Sequence, residues 1–336
     1  MRYLLTILIL LSQLSCGQHN KIATPLSNET ACIFSQISYC SNTQEKVNKY
    51  LPGWKVVWDA TALNGNHAFI ANDGGKYVVV IRGSLMEFSW DAFENWIYQD
   101  LNIVSQQKWT YTDPSANAKI STGSYRGWQN ISTIKDKKSG KDLLSFLLDK
   151  SNQKDPIYVT GHSLGGNLAT VLASYLSFKF KEAGRSSENI NVITFAAPAA
   201  GNEGFAKEFD KTFPRSVRIE NTEDIVPKFP CTSAVTALGT LYTNSPSATE
   251  ITVGYKNMTV PLSAAFKGTS LIMSALELQN GFSHFKQTNE KCTLITIKPS
   301  GRNTTNDITS WFSEAGYQHG IAQYASTMGA VVVDCK

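Results

Sequence analysis

The sequence predicts an α/β domain built on a mostly parallel central sheet flanked by helices, and three observations predict it. Short apolar runs alternate with segments of helical apolar spacing along most of the chain. The run at 77–81, Tyr-Val-Val-Val-Ile, is apolar on consecutive residues, the pattern of a strand covered on both faces. Finally, Gly161-His162-Ser163-Leu164-Gly165 joins a short apolar run to a helical one, so strand, sharp turn and helix follow in immediate succession.

The elements follow in order. Residues 17–30 are polar and read as a flexible tether, and 31–50 read as a helix. Strands are expected at 54–58, 67–71 and 77–81, and a helix at 127–151. The strand at 157–160 leads into a long helix ending near 183. Along it Leu164, Leu168, Val171, Leu172, Tyr175 and Leu176 recur at helical spacing. Strands at 191–195 and 216–219 flank a helix near 203–210. From 231 to 290 this rhythm is lost, and the stretch reads as an insertion. A last strand at 293–297, a loop and a C-terminal helix complete one domain spanning 31–336.

With 336 residues, 42% of them hydrophobic, the chain can bury a large core. A formal charge of +4 without any basic run argues against nucleic acid as a partner. The cysteines have no metal-ligand spacing, so neither a metal nor another cofactor is expected, and the chain reads as a monomer. Residues 1–16 form an export signal: Arg2 opens it and an apolar stretch over 4–11 is too short to span a bilayer as a mature helix. Ser15-Cys16-Gly17 after that stretch resembles a bacterial lipoprotein lipobox, in which Cys16 becomes the acylated N-terminus and anchors the protein to membrane. Gln13 stands where a leucine is usual, and plain cleavage near Cys16 is the other reading. Both readings place the protein outside the cytoplasm, secreted or membrane-anchored. Disulfides then suit the remaining cysteines. Cys32 or Cys40 is available to join Cys335, and Cys231 with Cys292 to close the insertion. Sequons stand at Asn28, Asn130, Asn257 and Asn303.

The pentapeptide carries the chemistry. Glycines two before and two after Ser163 let the chain turn tightly enough to lift the hydroxyl off the sheet edge, as in a nucleophile elbow. A serine hydroxyl needs a base to take its proton and an acid to orient that base. In α/β hydrolases the chain order is serine, acid, histidine. Only His284 and His319 follow Ser163. His319 lies beyond the last strand, in a loop running into a helix, and is the expected base; His284 precedes that strand. Asp224 sits in a turn past a strand end that Pro227 and Pro230 keep non-helical, and is the expected acid, with Glu223 as the fallback. The oxyanion hole is assigned to the backbone N–H of Leu164 and to the backbone N–H of Ser84, with the Ser84 hydroxyl in support, where Arg82-Gly83-Ser84 closes the 77–81 strand.

Together, Arg82-Gly83-Ser84, Asn95-Trp96, Asp100, Gly161-His162-Ser163-Leu164-Gly165-Gly166, Phe195-Ala196-Ala197-Pro198, Gly201-Asn202 and 221–230 resemble the class 3, fungal-type lipases of the α/β-hydrolase superfamily. The resemblance runs from about Tyr39 to the C-terminus. It implies an α/β-hydrolase fold, a Ser163–Asp224–His319 triad, an oxyanion donor at Ser84 and ester lipids as substrates. Tyr125 and Arg126 stand where a histidine and a lysine are common, and the 231–290 insertion lies between acid and base. The resemblance also implies a lid near 85–98. There Leu85, Phe88, Ala92 and Trp96 recur at helical spacing beside Trp90 and Phe93, a stripe suited to a lipid surface. The expected activity is therefore lipase action on acylglycerols. A feruloyl or acetyl esterase on polysaccharides is the enzyme alternative, and a lipid- or glycan-binding surface lipoprotein the non-enzymatic one.

Overall fold

The computed structural model describes residues 24–85, 89–95, 101–242, 249–255, 258–279, 282–288, 292–301 and 307–336. The expected export segment with Cys16, the lid residues Phe88 and Trp96, and the sequons Asn257 and Asn303 lie outside the described residues, as do the side chains of Trp90 and Phe93.

Among the described residues seven strands form the central sheet: β1 Lys55–Asp59, β2 Ala68–Asn72, β3 Tyr77–Ile81, β4 Ile157–His162, β5 Ile190–Phe195, β6 Val217–Asn221 and β7 Thr293–Ile295. They lie side by side in chain order. β2 is antiparallel to both β1 and β3, and every neighbouring pair from β3 to β7 is parallel. The expected mostly parallel sheet is what forms. Continuous apolarity of β3 has its reason in this arrangement. Val79 and Ile81 enter a core beneath the helices Thr122–Thr133, Leu143–Lys150 and Leu164–Glu182, with Leu168, Leu172 and Phe180. Val78 and Val80 enter the opposite core beneath Asn28–Ile37 and Ile321–Met328, with Phe34 and Tyr324. All four β3 valine and isoleucine side chains are fully buried. At about 1.5–3 kcal/mol for each large apolar side chain buried, this strand is a main contributor to the fold.

Several segments differ from expectation. Residues 31–50 are two helices, Asn28–Ile37 and Thr43–Tyr50. The turn between them carries Cys40, disulfide-bonded to Cys335, so Cys40 and not Cys32 takes that partner. Part of the expected tether is packed: Leu26 is buried and its N–H donates to the Tyr158 hydroxyl. The helix expected at 127–151 is also two, ending at Thr133 and restarting at Leu143. Between them Asp136 accepts from the Lys138 and Ser139 amides, Gly140 takes φ +66°, and Asp142 caps the second helix. Local turn chemistry outweighs the helical spacing on either side. Cys231 and Cys292 are free thiols, so the expected closure is not formed. Each stands against the Arg218–Glu220 ion pair of β6.

Within 231–290 lie a short helix Thr232–Thr236, a hairpin pairing Thr252–Tyr255 with Met258–Pro261, and a long helix Leu262–Glu277. Its apolar side chains, among them Val235, Leu262, Phe266 and Met273, build a third core with Trp311 and Phe312. Those two belong to the helix Ile308–His319, so His319 ends a helix where a loop was expected. Asp307 caps that helix by accepting from Ser310 N–H, and Gly320 separates it from the last helix. None of the helices among the described residues is long and apolar enough to cross a membrane.

Candidate active site

The parallel strands deliver the candidate residues to one edge of the sheet. Ser163 follows the last residue of β4, Ser84 lies three residues beyond β3, and Asp224 three beyond β6. This is the carboxyl edge, where ligands bind in open parallel sheets. Ser163 is held at φ +59°, ψ −131°, a backbone conformation that few residues with a side chain adopt. Its N–H donates to the Phe195 carbonyl at 2.9 Å, which ties the turn to β5. The flanking glycines are needed for space. A Cβ on Gly161 would stand 2.4 Å from the Gly165 carbonyl carbon, and one on Gly165 would stand 2.3 Å from the Ile81 carbonyl oxygen. Gly83 is equally constrained: a Cβ there would meet the His162 carbonyl oxygen at 2.6 Å and Ser163 Cβ at 3.3 Å. The Arg82-Gly83-Ser84 segment therefore abuts the serine turn.

Ser84 Oγ is buried and has no hydrogen-bond partner among the described residues. A buried hydroxyl without a partner is costly in a folded protein, and here it stands beside the Ser163 turn. Leu164 is the first helical residue after Ser163, and its amide has no partner within the helix by position. Both line a cavity of ≈ 390 Å³ that also touches Arg82, Arg126, Asn64 and Asn130.

His319 Nδ1 lies 2.8 Å from Asp224 Oδ2. Asp224 is fully buried and His319 nearly so. The carboxylate is further held by the Val226 N–H at 2.9 Å on Oδ1 and the Tyr324 hydroxyl at 2.8 Å on Oδ2. Such charge-assisted bonds are what make a buried, unpaired carboxylate tolerable. Glu223 does not take this place: its side chain accepts from the Tyr242 N–H. His284 is removed from the site, with its side chain 76% exposed and its Nδ1 2.7 Å from Glu277.

Residues that sequence reasoning did not single out hold this pair in place. The Tyr324 hydroxyl that donates to Asp224 also accepts from the Asn221 N–H at 2.9 Å, joining the end of β6 to the acid. Asn221 Nδ2 donates to both the backbone and side-chain oxygens of Gln318, and Gln318 Nε2 donates to the buried Glu314. His162 Nε2 donates to the His319 carbonyl at 2.8 Å, which leaves its Nδ1 to accept from the Tyr39 hydroxyl at 2.9 Å. The His162 and His319 rings lie 4.5 Å apart. Burial, and then the adjacent His319, push the His162 imidazole well below its usual range, so it stays neutral at neutral pH. Burial pushes the Tyr324 and Tyr39 hydroxyls up, and both remain protonated donors. His162, inside the pentapeptide, and Asn221, at the start of the 221–230 segment, were visible as parts of motifs; Tyr39 and Tyr324 carry no local signal. No group of three or more metal-ligating side chains occurs among the described residues.

A serine at a strained turn between a parallel strand and a helix, on the same sheet edge as a buried histidine–aspartate pair, sits on the fold of the α/β hydrolases. Residues 78–234 match the model of the lipase (class 3) family. It is similar to a Caenorhabditis elegans lipase, 32% identical over 130 residues that make up 36% of this chain and 33% of that one. It is also similar to phospholipase A1-II 4 of Oryza sativa subsp. japonica, 35% identical over 120 residues, 32% of this chain and 30% of that protein. The secreted mono- and diacylglycerol lipase 1 of Fusarium solani is 27% identical over 173 residues, 49% of this chain and 43% of that protein. The chain thus spans less than half the length of these curated relatives. The crystal structure of M37 lipase shares the fold, with a TM-score of 0.70 at 24% identity, covering 91% of this chain and 94% of that one.

Proposed function

We propose that the chain is a serine carboxylic ester hydrolase acting outside the cytoplasm, a lipase that cleaves acylglycerols through an acyl-enzyme. The observation that carries this reading is the buried 2.8 Å contact between His319 Nδ1 and Asp224, on the same sheet edge as Ser163 in its strained turn. Because Nδ1 donates to Asp224, Nε2 is the ring nitrogen that takes the proton from Ser163 Oγ as the hydroxyl attacks the ester carbonyl carbon. Asp224 stabilises the imidazolium so formed. The Leu164 amide and the Ser84 hydroxyl donate to the oxygen on which negative charge develops. The imidazolium then protonates the departing alcohol, and water, activated by the same histidine, releases the acid and restores Ser163. His162 and Tyr39 hold the His319 backbone, and Tyr324 holds the acid. Relatives named as lipases and phospholipases support ester lipids as the substrate class. The Cys40–Cys335 disulfide, together with a relative named as secreted, supports an oxidising, extracytoplasmic setting, and an acyl group on Cys16 would be its membrane-bound form.

The test is Ser163→Ala. Wild type should react with a fluorophosphonate probe and hydrolyse emulsified diacylglycerol, and the folded variant should do neither, with a rate lower by several orders of magnitude. Labelling of the variant, or a wild type inert to both reagents, refutes the proposal.

A further inference from the structure

We infer that the helix Leu262–Glu277 of the 231–290 segment carries a docking face for an anionic lipid–water interface, formed by Ala264, Lys267, Leu271, Ala275 and Leu278. This goes beyond the ester-hydrolase reading and does not depend on it. The helix is fixed from behind. Leu262, Phe266 and Met273 enter the third core, and the Phe266 ring lies 5.6 Å from that of Trp311, on the helix that ends at His319. The exposed positions are 264, 267, 271, 275 and 278, spaced as one helical stripe. All but Lys267 are apolar, and Leu271 is 71% and Leu278 88% exposed. Met258, on the hairpin strand that runs into the helix, is exposed as well.

Other helices of the domain give such positions polar side chains. The helix Glu203–Thr212 exposes Glu203, Lys207 and Lys211 at helical spacing, and Leu143–Lys150 exposes Ser145, Asp149 and Lys150. The exposed leucines are therefore not the ordinary solvated face of a surface helix. A second copy is a poor occupant, because the stripe is small. Along a helix about 24 Å long, a stripe roughly 10 Å wide covers on the order of 240 Å², against about 800 Å² per partner in a stable pair. A lipid surface sets no such threshold: leucines enter the acyl boundary while a lysine extends its charge to the headgroups. Charge fits the same occupant. Lys267 is the only charged residue on the stripe. The one acid of the helix, Glu277, is withdrawn into contacts with the Thr232 hydroxyl at 2.8 Å and His284 Nδ1 at 2.7 Å. Nothing on the stripe repels an anionic headgroup.

The test uses the full chain as exported, with Cys16→Ser so that no acyl anchor contributes and Ser163→Ala so that no lipid is consumed. This parent is sedimented with vesicles of phosphatidylcholine, alone or mixed with phosphatidylglycerol, and should bind the mixed vesicles. Adding Leu271→Ser and Leu278→Ser should weaken that binding roughly tenfold or more, since two apolar side chains leave the acyl boundary. Lys267→Glu should weaken it several-fold on mixed vesicles and leave binding to phosphatidylcholine alone unchanged. All three positions are exposed, so the variants should keep the parent's circular dichroism and Tm. A parent that binds neither vesicle overturns the inference, as do leucine substitutions that leave binding intact in a folded variant. Binding of Lys267→Glu to mixed vesicles at the parent's strength overturns it too. So does a concentration-dependent dimer that the leucine substitutions abolish in sedimentation velocity, because the face then holds a second copy. None of these outcomes bears on ester hydrolysis, which the fluorophosphonate test decides separately.

Discussion

Replacing Tyr324 by phenylalanine deletes a single oxygen that the structure places between two buried groups. Its hydroxyl donates to Asp224 Oδ2 at 2.8 Å and accepts from the Asn221 N–H at 2.9 Å. Tyr324, Asp224 and Asn221 are all buried to within 1% of full exclusion from solvent. A hydrogen bond to a charged group contributes about 1.5–3 kcal/mol, and leaving a buried donor unpaired costs about 1–3 kcal/mol. The sum is a loss of about 2.5–6 kcal/mol, because the phenyl ring still fills the same space. For a chain of this size each kcal/mol lowers Tm by about 2–4 °C, so a decrease on the order of 10 °C is expected. Activity should fall far less than stability suggests. Asp224 keeps its bonds to His319 Nδ1 and to the Val226 N–H, so the acid still orients the imidazole. We expect kcat on a p-nitrophenyl ester to drop about tenfold or less, whereas loss of a triad member costs orders of magnitude. Unfolding followed by circular dichroism, with kcat measured well below the variant's Tm, gives both quantities. A stability loss under about 1 kcal/mol would refute the bridging role, since even one unpaired buried donor costs that much. A drop in kcat as large as that of His319→Ala would refute the division of labour between Tyr324 and Val226.

Two further outcomes follow from the same geometry. His319→Ala should lower kcat by several orders of magnitude, while His284→Ala, an exposed partner of Glu277, should change it little; the reverse ranking in folded variants would overturn the assignment. His162 makes the fold acid-sensitive. Its folded-state pKa lies well below the ordinary 6.5, so the unfolded chain binds the extra proton first. That stabilising contribution is complete above about pH 6.5 and is lost as pH falls toward the folded-state value. The decrease in Tm between neutral and mildly acidic buffer should therefore be smaller in His162→Asn than in wild type, and equal decreases would show that another group controls acid unfolding.

Much of the architecture was legible because it depends on short-range rules. Consecutive apolar residues in β3 announced a doubly covered strand, and glycines on either side of Ser163 announced a turn in which Cβ atoms have no room. Chain order after the serine left His284 and His319, and position relative to the last strand nominated His319, as the turn past a strand end nominated Asp224. Where reading failed locally, a competing local signal was present: the Asp136 and Gly140 turn broke the helix expected at 127–151, and the Asp307 cap began a helix where a loop was expected before His319. The contacts that hold the site were not legible at all. Tyr39 meets His162 across 123 residues, Tyr324 meets Asp224 across 100, and Cys40 bonds Cys335 across 295. Periodicity and turn chemistry report a residue's neighbours along the chain. Which distant hydroxyl reaches a buried carboxylate is decided only when helices from both ends of the chain pack on the same face of the sheet.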